Sequence, residues 1–241
     1  SLKERDEVLR FIINRTNGRV PIVAGMGSNN TADLVEQLHS FNLDGVVAIL
    51  SVVPYYNKPS QEGIYRHFMA VADASPVPVI IYNVPGRTGL NMTAATTLRL
   101  AHATPKIVAI KEACGNIEQM QAILDGRPED FLVLSGDDGI TVELVKRGGD
   151  GVISVAANAF PERFCGCVHN AMKGNIALAE SEIAELTPAI DLLFKEGNPT
   201  GVKAMTAAMG ITRSEVRLPL VEGTENLAAD IKSAIARYEL K

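Results

Sequence analysis

Short apolar runs alternate with longer amphipathic stretches over most of the chain, and this alternation predicts six βα units. The runs are rich in β-branched residues and continuously apolar, which is typical of parallel strands covered on both faces. Each run ends in a loop rich in Gly, Asn, Pro or Asp, and a stretch with helical periodicity follows. The predicted strands are residues 20–24, 46–53, 77–82, 107–110, 131–134 and 152–155.

Polar residues before the amphipathic stretches predict where the helices begin. Ser1 and Glu4 have the spacing of a capping box, and Asn30 or Thr31 and then Ser60 are suitable N-caps for the next two helices. Together with the periodicity, these caps predict helices at 1–16, 31–41, 60–74, 93–103, 117–124, 139–147 and 161–174.

The pattern changes after residue 174. Residues 175–241 read as amphipathic helices at about 176–196, 199–209 and 223–239, with a short apolar segment at 216–221 that contains Pro219. We therefore predict an α/β fold in which residues 1–174 hold strands 3 to 8 of a (β/α)8 TIM barrel and residues 175–241 form a helical carboxy-terminal domain. A closed barrel needs two more strands, so we expect about fifty further residues before Ser1. An open six-stranded sheet is the alternative.

Composition narrows the class of protein. The chain is 46% hydrophobic and 21% charged with a net charge of −5, which is ordinary for a globular enzyme and offers no basic footprint for nucleic acid. It has no apolar run of membrane-spanning length, and the charged amino end is unlike a signal peptide. We expect a cytoplasmic enzyme that binds neither nucleic acid nor a membrane.

Three cysteines are too few for a disulfide framework and favour a reducing compartment. Cys165 and Cys167 are spaced for a metal, but no second Cys or His cluster accompanies them, and Cys114 stands apart. We therefore expect no metal site and interpret the cysteines as buried or half-buried thiols.

Two strand ends carry candidate reactive groups, because reactive groups of βα barrels lie at the carboxyl ends of strands. Lys111 follows the apolar run 107–110, where desolvation would leave part of its amine neutral and able to attack a carbonyl. Tyr82 ends the preceding strand and could relay a proton to that amine. A solvated lysine and a tyrosine that packs beneath its loop are the structural alternatives.

Two strand-end loops carry candidate binding groups. Arg87, in Pro-Gly-Arg-Thr-Gly, suits bidentate recognition of a carboxylate, although a surface arginine is the alternative. Tyr55 and Tyr56 are consecutive and cannot face the same way, so one is expected to line the site and the other to pack at an interface.

The ordered strand-end motifs resemble the family of pyruvate-dependent class I aldolases that contains dihydrodipicolinate synthase and N-acetylneuraminate lyase. The resemblance spans nearly the whole chain. The segments that carry it are Val23-Ala-Gly-Met-Gly-Ser-Asn, Pro54-Tyr-Tyr-Asn-Lys-Pro-Ser-Gln-Glu-Gly, Tyr82-Asn-Val-Pro-Gly-Arg-Thr-Gly, Ile110-Lys-Glu-Ala, Leu134-Ser-Gly-Asp-Asp, Gly151-Val-Ile-Ser-Val, Asn198-Pro-Thr-Gly-Val-Lys and Arg217-Leu-Pro-Leu.

The resemblance implies a Schiff-base aldolase that condenses pyruvate with L-aspartate 4-semialdehyde in lysine and diaminopimelate biosynthesis. Lys111 would form the imine with pyruvate, so no separate cofactor is implied, and Tyr82 would shuttle the proton. Arg87 would bind the semialdehyde carboxylate, and Gly136 and Ile153 would place backbone groups at the site.

The resemblance also implies a homotetramer or homodimer, in which Tyr56 reaches the active site of the neighbouring subunit. Tyr55 would lie at the dimer interface, near the site where lysine inhibits some members of the family. Asn29 would help to bind that lysine. The glutamate of the family corresponds to Asp33, which is one methylene shorter, so the resemblance does not carry feedback inhibition over to this chain.

Two other functions remain open at this stage. A sibling lyase would cleave a sugar acid such as N-acetylneuraminate, but the cation of Arg87 favours a substrate with a carboxylate at that point. A non-catalytic barrel fragment is the second alternative, because the Thr-Thr-Gly-Glu motif of the family, which supplies a relay threonine and pyruvate-binding groups, is not in this sequence.

Overall fold

The computed structural model describes residues 1–238 and shows an α/β fold with a six-stranded sheet. The strands follow one another in the sheet in the order in which they occur in the chain, and the first four pair in parallel. This order confirms the predicted succession of βα units. The strands are β1 (Val23–Gly25), β2 (Ala48–Val52), β3 (Val79–Asn83), β4 (Ile107–Glu112), β5 (Leu132–Ser135) and β6 (Gly151–Val152).

The helices begin close to the predicted caps. Ser1 forms a complete capping box with Glu4, and the side chains of Asn30, Ser60 and Thr93 accept hydrogen bonds from the first turns of the helices that follow them. Ala156–Asn158 adds one 3-10 turn. The helices are α1 (Leu2–Thr16), α2 (Thr31–Ser40), α3 (Gln61–Ala74), α4 (Pro85–Thr88), α5 (Ala94–Ala103), α6 (Ile117–Gly126), α7 (Thr141–Lys146), α8 (Pro161–Met172), α9 (Ile176–Leu192), α10 (Thr200–Ala208) and α11 (Glu225–Tyr238).

Several predicted bounds are wrong. The predicted strand 152–155 ends at Val152, because the backbone N–H of Val155 donates to the Asp138 carboxylate and the chain then enters the 3-10 turn. The strand predicted at 20–24 begins only at Val23, after Pro21, which has no N–H to donate. The short apolar segment at 216–221 forms neither helix nor strand, and residue 239 of the last predicted helix lies outside the described residues.

The chain divides into two compact units, Ser1–Leu134 and Ser135–Lys241. In the first unit, Ile49, Ile81 and Ile110 of β2, β3 and β4 are fully buried. In the second unit, α7 to α11 pack around an apolar core that includes Phe164 and Leu186. The boundary predicted at residue 174 falls within the second unit, between α8 and α9, and stays a prediction. None of the helices in the described residues is both long and apolar enough to cross a membrane.

Candidate active site

Lys111 lies next to Tyr82 at the carboxyl ends of β4 and β3. The two residues are register partners, so their side chains leave the same face of the sheet. Lys111 is only 9% exposed, and its Nζ lies 4.2 Å from the centroid of the Tyr82 ring, which is within the range of a cation–π interaction. The structure thus brings together the two candidates that the sequence places at separate strand ends.

The electrostatic environment keeps Tyr82 protonated. Burial raises the pKa of the Tyr82 phenol, and the positive charge of Arg87 acts in the opposite direction without cancelling that rise. At neutral pH the phenol is therefore protonated and has a proton for a relay, although burial makes it a weaker acid than a tyrosine in water.

Arg87 is carried by α4, a single helical turn that the sequence reading assigned to a loop. Pro85 occupies the first helical position, where its missing N–H costs nothing, and Gly89 ends the turn in the left-handed region at φ 74°. Both residues are sequence signals from which the turn could have been predicted. Arg87 is exposed, so its guanidinium is accessible to a ligand from solution.

Tyr56 projects from a tightly held loop. It is 86% exposed, and its backbone has φ 71°, a conformation that is strained for a bulky side chain. The Tyr56 N–H donates to the carbonyl of Thr88 at 3.2 Å, and the Asn57 N–H donates to that of Tyr55 at 2.8 Å. The ring is therefore directed outward by hydrogen bonds on both sides of it.

Two of the three predicted interface residues are in contact. The Asn29 side-chain amide donates to the backbone carbonyl of Tyr55 at 3.1 Å, and Tyr55 is 41% exposed. Asp33 lies exposed in the first turn of α2. The structure therefore links Asn29 to the tyrosine loop through the backbone.

In the second unit, Gly136 and Ile153 lie close together. The Ile153 N–H donates to the carbonyl of Ser135, the residue before Gly136, at 2.9 Å. Asp138 is 2% exposed and accepts hydrogen bonds from the N–H groups of Val155 at 3.2 Å and Ala156 at 2.8 Å. Burial raises the pKa of Asp138, and the hydrogen bonds from Ser154 and from these amides oppose the rise. Asp138 thus fastens the loop after β6 to the loop after β5.

A buried polar network occupies the face of β3 and β4 opposite to Tyr82 and Lys111. Glu112 and Asn83 are register partners, and both are fully buried. The Asn83 amide donates to both Glu112 carboxyl oxygens at 3.0 Å, and the Gln119 amide donates to one of them at 3.0 Å. Burial raises the pKa of Glu112, whereas these hydrogen bonds lower it.

This network was not among the features predicted from the sequence, although a signal for it was present. Side chains on a strand alternate between faces, so the residues that follow Tyr82 and Lys111 had to be neighbours as well. Asn83 and Glu112 are the two polar residues at these positions.

The cysteines and other metal-binding residue types do not assemble into a site within the described residues. No group of three or more His, Cys, Asp or Glu side chains there could hold a metal ion. Burial is the main cause that raises the pKa of Cys114 to about 12 and that of Cys167 to about 11, so both are thiols at neutral pH.

Comparison with known proteins identifies the family. The model of the dihydrodipicolinate synthetase family matches residues 1–237. The chain belongs to this family. Among relatives, the chain is 53% identical to the 4-hydroxy-tetrahydrodipicolinate synthase of Phocaeicola vulgatus over 219 residues, which are 91% of this chain and 74% of that protein.

Solved structures of the family have the same fold. The crystal structure of dihydrodipicolinate synthase from Aquifex aeolicus matches with a TM-score of 0.96 at 35% identity and covers all of this chain and 82% of that one. A monomeric variant of dihydrodipicolinate synthase matches with a TM-score of 0.96 at 34% identity, over 99% of this chain and 81% of that one. Family membership thus agrees with the fold and with the resemblance found in the strand-end motifs.

Proposed function

We propose that this chain is a 4-hydroxy-tetrahydrodipicolinate synthase, a lyase that condenses pyruvate with L-aspartate 4-semialdehyde in lysine and diaminopimelate biosynthesis. The observation that carries the proposal is the buried Lys111 amine over the Tyr82 ring at two neighbouring strand ends. Membership of the family supports the choice of substrates, because the relative from Phocaeicola vulgatus is a 4-hydroxy-tetrahydrodipicolinate synthase.

The proposed chemistry begins at Lys111. Its neutral amine adds to the keto carbon of pyruvate, and the carbinolamine loses water to give an imine. The imine draws electrons from the methyl carbon, which releases a proton and becomes an enamine nucleophile. The enamine carbon then attacks the aldehyde carbon of the second substrate, whose oxygen takes up a proton. The amino group of the condensed product finally displaces Lys111 and closes the ring.

The other residues have supporting roles in this proposal. Tyr82, protonated at neutral pH, gives and takes the protons of carbinolamine formation and breakdown. Arg87, exposed on α4, binds the semialdehyde carboxylate. The resemblance to the family assigns substrate-binding backbone groups to Gly136 and Ile153 as well. No further cofactor is proposed, since the imine itself acts as the electron sink.

We also propose that the six described strands belong to a closed eight-stranded barrel. The support is their consecutive order in the sheet and the close match to solved members of the family. Closure would surround the carboxyl ends of the strands with loops, as an active site in such a barrel requires.

The exposed, strained Tyr56 supports a homodimer or homotetramer in which this tyrosine completes the relay of a neighbouring subunit. Asn29, Tyr55 and Asp33 would then lie near the interface between subunits. Sedimentation of the protein tests the assembly, and we expect a mass of at least twice that of one chain. A fully active species of single-chain mass would contradict it.

A substrate assay tests the function. We expect the cyclic product, detected by mass spectrometry, only when both pyruvate and aspartate semialdehyde are present. Release of pyruvate from N-acetylneuraminate, without condensation of the semialdehyde, would instead identify the sugar-acid lyase. A folded protein that catalyses neither reaction would contradict both.

A further inference from the structure

We propose that Asn83 and Glu112 form a positioning pair that aligns Lys111 with Tyr82 and thereby sets the rate at which Lys111 forms its imine. The inference rests on the imine function proposed for Lys111. It assigns a role to two buried residues that the reaction itself does not use.

The pair lies next to the reactive residues on both strands. Each member directly follows one of the reactive residues, and the two are partners in the same register of β3 and β4. A shift or tilt that separated Asn83 from Glu112 would also separate Tyr82 from Lys111, because the same two strand ends carry both pairs. The 3.0 Å hydrogen bonds between the Asn83 amide and the two Glu112 oxygens resist such a movement.

Hydrogen bonds join the pair to several neighbouring segments. The Glu112 carboxylate accepts hydrogen bonds from the Cys114 N–H at 2.9 Å and from the Gln119 amide of α6 at 3.0 Å. The side-chain amide oxygen of Asn83 accepts one from the Met92 N–H at 3.0 Å. The pair therefore ties both strand ends to the loop after β4, to α6 and to the segment after the helix that carries Arg87.

The polarity of the pair supports the same role. Ile81 and Ile110, two positions before Asn83 and Glu112 along each strand and therefore on the same face, are fully buried and apolar, so this part of the sheet can be packed without polar groups. Burying a carboxyl costs free energy that an apolar pair would not incur. The polar pair instead specifies how the two strand ends are aligned, because its hydrogen bonds are satisfied in only one alignment.

The test is the rate of imine formation in Glu112→Gln. The amide would place an N–H₂ group among Asn83, Cys114 and Gln119, all of which donate, and so disrupt the pair without changing its size. Glu118→Gln makes the same chemical change at an exposed position in the first turn of α6 and serves as the matched control. Glu112→Asp keeps the carboxylate but shortens its reach.

We expect Glu112→Gln, assayed well below its melting temperature, to form the borohydride-trapped pyruvate adduct at least about tenfold more slowly, and kcat to fall with it. The KM for the semialdehyde should change by less than about twofold. Glu118→Gln should match the wild type, and Glu112→Asp should lie between the wild type and Glu112→Gln.

A pair that only stabilises the fold would lower the melting temperature and leave the trapping rate of the folded variant unchanged, which would overturn the proposal. If Glu112→Gln does not fold, an unaltered trapping rate in Glu112→Asp would overturn it equally. Failure of the wild type to form any adduct is a different result, because it would contradict the proposed function itself.

Discussion

The two faces of the β3–β4 strand pair carry different groups at consecutive residues. One face holds a reactive amine, and the other holds a buried carboxyl group in a hydrogen-bond network. On one face, the Lys111 amine lies over an aromatic ring at 4.2 Å. On the other, Glu112 is bound by an asparagine, a glutamine and a backbone amide at 2.9 to 3.0 Å. A reactive group and the group that positions it therefore need not touch. When the two groups lie next to each other on the same strand pair, the hydrogen bonds that hold one group also fix the position of the other.

The largest expected effect comes from removal of the amine on the reactive face. Lys111→Met keeps the length of the side chain but cannot form an imine, so we expect kcat/KM to fall by at least about 10,000-fold. The control is Lys173→Met, at an exposed position in the second unit. Activity of Lys111→Met within about tenfold of the wild type would assign the imine to another residue.

The next largest effect should come from the phenol beside that amine. Tyr82→Phe removes the hydroxyl but keeps the ring, so we expect kcat to fall by about 100-fold while the pyruvate adduct still forms. Tyr65→Phe makes the same change on α3 and should have the activity of the wild type. Equal kinetics for both variants would exclude Tyr82 from the proton relay.

The variant Arg87→Ala tests whether recognition of aspartate semialdehyde depends on a group separate from the Lys111–Tyr82 pair. We expect Arg87→Ala to raise the KM for aspartate semialdehyde by about 10- to 100-fold, because a charge-assisted hydrogen bond to the carboxylate is lost. The KM for pyruvate should change far less, and Arg213→Ala on the exposed surface of the second unit should change neither. Equal increases for both substrates would refute the assigned role.

His67 on α3 sharpens the contrast with Glu112, because it is also buried but has fewer partners. It is 4% exposed, its Nδ1 is hydrogen-bonded to Thr31, and burial lowers its pKa from 6.5 to about 4. Because the pKa of His67 is lower in the folded state, the unfolded state binds a proton at a higher pH than the folded state does. Its stabilising contribution is therefore complete above pH 6.5 and is lost as the pH falls toward about 4.

Urea unfolding measures this smallest effect. Between about pH 7.5 and pH 5.5, the wild type should lose about 1 kcal/mol more free energy of unfolding than His67→Gln, which cannot titrate. Comparison with the variant removes the contributions of Glu112 and Asp138, whose raised pKa values act in both proteins. Parallel pH profiles for the two proteins would show that His67 is not held neutral by burial.

Features that follow from short-range pattern could be predicted from the sequence. The capping box at Ser1 and the N-caps at Asn30 and Ser60 are local, because each side chain accepts its hydrogen bond within three residues. The meeting of Lys111 with Tyr82 could also be anticipated, since parallel strands that are neighbours in sequence end at the same edge of a sheet.

Features that depend on long-range hydrogen bonds could not be predicted. The strained backbone of Tyr56 is held by the carbonyl of Thr88, and the early end of β6 follows from the bond between Asp138 and Val155. Neither contact leaves a periodic trace in the sequence. The Asn83–Glu112 pair is an intermediate case. Strand alternation predicts that the two residues are neighbours, but it does not predict which donors bind to them.

A peptide map of the protein after treatment with pyruvate and borohydride shows directly whether Lys111 forms the imine. Reduction would fix a pyruvate imine as a stable secondary amine that increases the mass of one peptide. The account predicts a single modified site at Lys111, formed without aspartate semialdehyde and absent from Lys111→Met. An adduct on a different lysine, or folded protein that takes up no pyruvate, would contradict it.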